Sequence, residues 1–152
     1  MKFSARFEYA LLALLHLKCE PDEGPVSGKA LAESLKLPYR FLEQILADLK
    51  RGGLIRAARG SQGGYRLNRD PGDISVYDIY VATEGQFQPW DCGAGDDKDG
   101  CGSDHNKCVI SAFYGDFRST FISLMKGYTL NTLCSAAQSL KRSQTAVTTT
   151  AP

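Results

Sequence analysis

The first third of the chain contains three amphipathic segments separated by prolines and glycines. Within each segment, apolar residues recur every three or four positions, which is the spacing of one face of an α-helix. The pattern predicts helices over residues 4–18 and 38–50, with a short helix capped by Ser27 between them. Gly52 and Gly53 follow the third segment and favour a helix end there, since glycine readily adopts the left-handed conformation that ends many helices.

The third predicted helix separates its apolar residues from its polar ones. Its apolar face, which is expected to be buried, consists of Phe41, Leu42, Ile45, Leu46 and Leu49. Its opposite face consists of Tyr39, Arg40, Glu43, Gln44 and Asp48. Arginine, glutamate and glutamine side chains can each pair with the edge of a DNA base. The outer face of this helix is therefore a candidate surface for reading a DNA sequence.

Two short β-prone runs follow the three helices. Residues 54–58 and 64–68 flank a glycine-rich turn, which is the pattern of a β-hairpin. A further short helix is predicted over residues 74–83. A helix, a helix-turn-helix and a hairpin in this order predict a winged helix-turn-helix, whose recognition helix enters the major groove of DNA.

Positive charge is concentrated in the hairpin, although the chain as a whole is almost neutral. The chain has 18 lysines and arginines against 17 aspartates and glutamates, which gives a net charge of +1. The segment 50–69 contains no acidic residue and six basic ones, namely Lys50, Arg51, Arg56, Arg59, Arg66 and Arg69. Such a stretch attracts a polyanion. The alternative is a charged surface loop that contacts only solvent.

These features together predict a set of DNA-contacting residues. Base contacts are expected from the third helix, phosphate contacts from residues near helix N-termini, and a minor-groove contact from the turn of the hairpin. The predicted residues are Ser27, Tyr39, Arg40, Glu43, Gln44, Arg59 and Ser61. Two alternatives stay open, because Arg40 and Glu43 are spaced to form a surface ion pair and Tyr39 could be half-buried in the protein.

Three of the five cysteines lie in a segment rich in glycine and aspartate. Eight residues separate Cys92 from Cys101, and six separate Cys101 from Cys108. Thiolates can bind a soft metal ion or an iron–sulfur cluster, and the neighbouring aspartates disfavour free thiolates until a cation binds. The alternative is three free thiols. The other two cysteines, Cys19 and Cys134, lie in apolar helical segments and are expected to be small buried side chains.

The C-terminal third is predicted to form one long helix and one short one. The apolar stripe over residues 107–126 is wider than a small monomer can cover, which favours a dimerisation helix; packing against the chain's own N-terminal part is the alternative. The predicted fold class is mainly α. The predicted organisation is a winged-helix DNA-binding domain over 1–83, a cysteine-containing sensor loop over 84–108, a dimerisation region over 109–138 and a disordered tail over 139–152.

Several classes of protein are disfavoured by the sequence. The longest apolar run, residues 10–15, is too short to span a membrane, and the N-terminus lacks the apolar stretch of a signal peptide. A cytoplasmic protein is therefore expected. The two histidines, His16 and His105, have no recognisable catalytic partners, and the glycine-rich turn does not match a phosphate-binding loop. Neither enzymatic activity nor a small-molecule substrate is expected.

Over roughly residues 1–135, the sequence resembles the IscR/NsrR family of winged-helix regulators. Besides the three cysteines, the resemblance rests on the opening residues 1–11 (MKFSARFEYAL), on 42–46 (LEQIL), on 49–55 (LKRGGLI) and on 59–67 (RGSQGGYRL). It implies a cytoplasmic homodimeric transcription factor, usually a repressor, whose three cysteines bind an iron–sulfur cluster that is commonly 2Fe–2S. In such proteins the state of the cluster sets promoter affinity in response to iron, oxidative stress or nitric oxide.

The resemblance also assigns individual residues, with some departures. The base-reading positions of the family fall on Arg40, Glu43 and Gln44, and its minor-groove arginine falls on Arg59. The cysteine spacing is longer than in IscR, and Ser111 occupies the position where IscR has its histidine ligand.

Other members use an acidic residue of the first helix of the partner subunit as the fourth cluster ligand. That position is Glu8 here, and His105 is the other candidate. The alternative function is that of a cluster-free family member switched by zinc, by thiol oxidation or by a metabolic-enzyme partner.

Overall fold

The computed structural model describes residues 2–19, 24–60, 63–88 and 109–148, with side chains described up to residue 140. The elements are, in chain order, α1 (Ala5–Cys19), α2 (Gly28–Leu35), α3 (Tyr39–Arg51), β1 (Ile55–Ala58), β2 (Gly64–Leu67), α4 (Val76–Glu84), α5 (Val109–Gly127) and α6 (Leu130–Thr148). A short 3-10 turn at Pro71–Asp73 precedes α4. This mainly helical architecture with one antiparallel hairpin confirms the predicted winged-helix fold.

Local sequence signals account for the helix boundaries. The Ser4 hydroxyl accepts a hydrogen bond from the Phe7 amide at 3.1 Å, and the Ser27 hydroxyl accepts one from the Ala30 amide at 3.1 Å. Both are the side-chain caps that the first turn of a helix requires. Beyond the end of α3, Gly53 has a φ of +69°, which favours glycine. Pro38 lies just before the first helical residue of α3 rather than within the helix.

One hydrophobic core joins the winged helix to the C-terminal helices. Helix α1 contacts α2, α3, α4 and α6, and its Leu14 is fully buried. The core continues into the C-terminal helices through Met125 and Leu130. The Leu130 amide donates to the Ile74 carbonyl oxygen at 2.8 Å, so the start of α6 is bonded to the residues that precede α4.

An aromatic cluster connects α1 and α4 to α5. The ring of Phe87 stacks on that of Phe121 with centroids 4.3 Å apart, and it meets the ring of Tyr80 at 5.8 Å. Tyr80 in turn meets Phe7 at 5.6 Å. Burial raises the pKa of the Tyr80 phenol, and Glu84 and Tyr77 raise it further. The buried ring of Phe87 therefore anchors the chain after α4 against α5.

Three sequence-based expectations are corrected. Helix α6 continues to Thr148, so residues 139–148 are helical rather than part of a disordered tail. Asp48 is only 4% exposed instead of lying on the outer face of α3, because Arg6 and Arg51 both donate hydrogen bonds to its carboxylate. Cys134 is buried as expected, but Cys19 is exposed and forms a disulfide with it.

Helix length and polarity bear on any membrane association. Among the residues that the structure describes, no helix combines the length and the apolar character needed to cross a bilayer. Helix α5 is long enough, at 19 residues, but it carries Asp116, Arg118 and Lys126 among its apolar side chains.

Candidate nucleic-acid interface

The hairpin, the start of α2 and the start of α3 converge on one side of the molecule. Val26, two residues before α2, pairs with Tyr65 of β2 through two backbone hydrogen bonds of 3.0 and 2.8 Å. This isolated bridge fixes the wing beside the N-terminus of α2. The residues predicted to contact phosphate and bases are therefore brought next to the basic hairpin.

Two glycines permit this close approach. A Cβ atom on Gly64 would lie 2.3 Å from the carbonyl oxygen of Val26. Any residue with a side chain would clash there unless the wing moved. A Cβ atom on Gly28 would lie 3.0 Å from Cε2 of Tyr39 and 3.4 Å from Cε2 of Tyr65. The wing and the two helix starts thus pack at distances that only glycine allows without adjustment.

Tyr65 links the wing electrostatically to α3. Burial raises the pKa of the Tyr65 phenol above its ordinary value, and the neighbouring Tyr39 and Glu43 raise it further. A phenol with a raised pKa stays protonated at neutral pH and keeps its hydrogen-bond donor. The Tyr65 hydroxyl is therefore a protonated hydrogen-bond donor at the junction between wing and helix.

The polar face of α3 is open to solvent. Arg40, Glu43 and Gln44 are exposed, and their side chains form no hydrogen bond or ion pair with any residue that the structure describes. The alternative of an ion pair between Arg40 and Glu43 is therefore not realised. Tyr39 is 41% exposed, and Ser27 is exposed while its hydroxyl oxygen caps α2. The hydroxyl hydrogen of Ser27 remains available to a further acceptor.

The wing carries two like charges that face each other. Arg56 of β1 and Arg66 of β2 are opposite each other in the hairpin register, and both are exposed. Directly opposed like charges destabilise a β-hairpin, and a bound polyanion removes the repulsion. Arg59 is exposed just after β1, next to Gly60 with a φ of +118°. Ser61 lies outside the described residues.

Sequence reasoning missed several residues of this region. The pairing of Arg56 with Arg66 could have been predicted from the number of residues in the turn, because that number fixes which residues of the two strands are opposite each other. The bridge from Val26 to Tyr65 joins two segments that are 39 positions apart in the sequence. A single contact of this kind produces no repeating pattern of apolar and polar residues from which it could be predicted. The steric roles of Gly28 and Gly64 depend on that bridge, so they too were not predictable from local pattern.

The predicted metal ligands are only partly placed. Cys92, Cys101, His105 and Cys108 lie outside the described residues, and within the described ranges no group of three or more metal-ligating side chains is found. The other candidate, Glu8, is exposed in the first turn of α1.

A hydrogen bond joins the chain before the three cysteines to the helix that follows them. The guanidinium Nε of Arg118 on α5 donates to the carbonyl oxygen of Phe87 at 3.0 Å. Phe87, five residues before Cys92, is therefore held against α5.

Comparison with known proteins identifies the family. A profile of the Rrf2 family, described as "Iron-dependent Transcriptional regulator", matches residues 3–136. The chain belongs to the Rrf2 family. This membership agrees with the resemblance to IscR-type regulators, and it makes the protein a helix-turn-helix transcriptional regulator by family.

Individual Rrf2-type relatives cover different parts of the chain. The chain is 29% identical to IscR of Aliivibrio salmonicida over 133 residues, which are 88% of this chain and 77% of that protein. It is 36% identical to CymR of Bacillus subtilis over 89 residues, 59% of this chain and 64% of that protein. It is 41% identical to the protein slr0846 of Synechocystis over 90 residues. The matches span less than two thirds of CymR and of slr0846.

Solved Rrf2-type structures share the whole fold. The structure of CymR, "the Global Cysteine Regulator of B. subtilis", has a TM-score of 0.70 at 28% identity and covers 90% of this chain and 98% of that one. The structure of T. potens IscR also has a TM-score of 0.70, at 31% identity, and covers 90% of this chain and 88% of that one. The fold is thus similar to IscR and to CymR in equal measure.

Proposed function

We propose that the protein is a homodimeric, sequence-specific DNA-binding repressor that acts in the cytoplasm. The observation that carries this proposal is the convergence of the open polar face of α3 with a basic wing and the capped start of α2. Such a surface offers base-pairing side chains in its centre and phosphate-binding groups at its edge, which is the arrangement of helix-turn-helix proteins on DNA.

Each residue of the surface has a proposed role. Arg40 donates to guanine, Glu43 accepts from cytosine and Gln44 pairs with adenine in the major groove. Ser27, Tyr39 and Ser61 donate to phosphates, and Arg59 enters the neighbouring minor groove.

The exposed face of α5 supports the dimer. Val109 is 82% exposed and Phe113 is 63% exposed, and Ile110, Phe117 and Leu124 continue the same apolar stripe along the helix. Contiguous exposed apolar surface of this kind is typical of a protein–protein interface, and a two-fold axis lets the same stripe cover its own copy. The second copy also supplies the second recognition helix that a palindromic DNA site requires.

Selection from random duplexes with the full chain, followed by fluorescence anisotropy, tests the DNA proposal. We expect Arg40→Ala to cost about 1–3 kcal/mol on the enriched duplex and little on a scrambled one. We expect Arg59→Ala to weaken both and to reduce the slope of log K against log salt by about 0.9. The control Lys126→Ala removes a charge at the far end of α5, beside Tyr77. Unchanged isotherms for both arginine variants would contradict the proposal.

We further propose that Cys92, Cys101 and Cys108 hold an iron–sulfur cluster of the 2Fe–2S type. Three thiols in one glycine-rich segment are a suitable donor set, and Glu8 of the partner subunit or His105 is the fourth ligand. The exposed carboxylate of Glu8 makes no hydrogen bond to a described residue, which leaves it available. A bound cluster would supply a redox- and iron-sensitive centre whose presence alters the affinity for DNA.

A second candidate is favoured by the likeness to CymR. In that case the protein works without a cluster, and zinc, thiol oxidation or a metabolic-enzyme partner switches it. Anaerobic purification with an absorption spectrum and iron and sulfide analysis separates the two. The cluster proposal requires a brown protein that loses its colour in Cys101→Ala and keeps it in the control Cys19→Ala. A colourless wild type would favour the second candidate.

A further inference from the structure

The two remaining cysteines lie at a junction between the winged helix and the C-terminal helix. Cys19 is the last residue of α1, Cys134 lies near the start of α6, and their sulfur atoms are bonded to each other. Their Cα atoms are 6.7 Å apart although the two residues are 115 positions apart in the sequence. This Cα distance is within the range that a disulfide spans. The pairing is separate from the cysteines of the segment 84–108.

The bond connects two parts with different tasks. Helix α1 supports the helix-turn-helix, because Tyr9 packs edge-on against Phe41 of α3 and the imidazole of His16 contacts the Ser34 hydroxyl of α2 at 3.3 Å. Helix α6 directly follows α5, whose exposed face is the proposed dimer contact. A covalent link from α1 to α6 therefore restricts how the DNA-binding unit moves relative to the dimerisation region.

We propose that Cys19 and Cys134 form a reversible, peroxide-sensitive disulfide, a second redox site of this protein. Cys19 is exposed and can be attacked by oxidant, whereas Cys134 is 3% exposed and adjoins it. Hydrogen peroxide oxidises the Cys19 thiol to a sulfenic acid and is reduced to water. The Cys134 thiol then attacks the Cys19 sulfur, the S–S bond forms and a second water leaves. A dithiol reductant reverses the reaction and is itself oxidised to a disulfide.

The cytoplasmic location in the proposed function favours a reversible role. Disulfides in a reducing compartment are usually transient and catalytic or redox-sensing. The exposure of Cys19 gives a small thiol or a reducing protein access to the bond.

Peptide mapping of the full chain tests the site. After treatment with stoichiometric hydrogen peroxide and alkylation of free thiols, we expect one linked peptide that contains Cys19 and Cys134. Closing so long a loop should raise the Tm by on the order of 10 °C relative to the reduced chain. The shift should vanish in Cys19→Ala, which removes an exposed side chain and leaves the core intact, and in Cys134→Ala. It should persist in Cys101→Ala. Links confined to other cysteines, or equal Tm values, would overturn the proposal.

The effect on DNA binding rests on the proposed function and has a separate readout. We expect the Kd of wild type for its enriched duplex to differ by about fivefold or more between the oxidised and reduced states, and not at all in Cys19→Ala. Equal Kd values for oxidised and reduced wild type would overturn the regulatory role. Absence of DNA binding in both states would count against the proposed function, while the linked peptide would still establish the site.

Discussion

Arg6 of α1 donates a hydrogen bond to the carboxylate of Asp48 on α3, although the two residues are 42 positions apart in the sequence. Arg51 donates to the other carboxylate oxygen of Asp48 at 2.9 Å. The carboxylate is almost fully buried, whereas the two guanidinium groups remain partly in solvent. The C-terminal end of the proposed recognition helix is thereby fixed to α1, the central helix of the core.

Removal of the Asp48 charge should therefore destabilise the protein. We expect Asp48→Asn to lower the free energy of unfolding by about 1.5–3 kcal/mol, because two hydrogen bonds to a charged acceptor are weakened. Arg51→Ala should cost less than about 1 kcal/mol, since that guanidinium is largely exposed. Urea denaturation followed by circular dichroism measures both. An equal loss in the two variants would show that the buried carboxylate has no special role.

The ion pair between Arg6 and Asp48 shows what the local spacing of apolar residues cannot predict. Periodicity correctly predicted the presence of six helices and of the hairpin, because each of these elements is amphipathic or bounded by caps within a few residues. It placed Asp48 on the outer face of α3, since Arg6, which neutralises the buried carboxylate, lies on a helix far away in the sequence. The end of α6 was missed for a different reason. Its serines and threonines are typical of a tail, but Ala136, Ala137 and Leu140 favour helix continuation.

The close contact between Gly64 and Val26 provides a test of wing placement. Gly64→Ala puts a methyl group 2.3 Å from the Val26 carbonyl oxygen, so the bridge to Tyr65 should open. We expect a loss of about 1–3 kcal/mol in the free energy of unfolding, together with weaker DNA binding. Gly24→Ala is the control, because its Cβ has no neighbour within 4 Å. Thermal melts and anisotropy report the two effects, and equal behaviour of the two variants would argue against a fixed wing.

The opposed arginines of the wing predict effects of opposite sign on stability and binding. Arg66→Gln relieves the repulsion from Arg56, so the free energy of unfolding should stay level or rise by a few tenths of a kcal/mol. Arg66 is exposed on the basic wing that we propose lies against DNA phosphates, so the salt slope of DNA binding should fall by about 0.9 when its charge is removed. The same measurements on Lys126→Gln provide the control. A stability loss without any change in salt slope would identify Arg66 as a structural residue only.

The exposed polar residues of α3, which we propose face DNA, were predicted more completely than the groups that hold this surface in place. Arg40, Glu43 and Gln44 were predicted to be exposed because the 3.6-residue period of a helix separates its polar face from its apolar face. The side chains of all three are exposed to solvent in the structure. Tyr65 and Gly28 were missed, because their positions follow from a bridge between segments far apart in sequence. Contacts of this kind depend on tertiary packing, which cannot be predicted from the spacing of apolar residues within a single helix.

The exposed stripe of α5 leads to the last prediction. Phe113 is 63% exposed in the single chain, so Phe113→Asp should leave the fold of the monomer intact. In the proposed dimer the new carboxylate would be buried opposite its own copy or another apolar side chain, which is unfavourable for association. Light scattering coupled to size-exclusion chromatography should give twice the chain mass for wild type and the chain mass for Phe113→Asp. Ser119→Asp, which places the same charge on a polar side of the helix, should stay dimeric. If both variants kept the wild-type mass, the dimer contact would have to lie elsewhere on the surface.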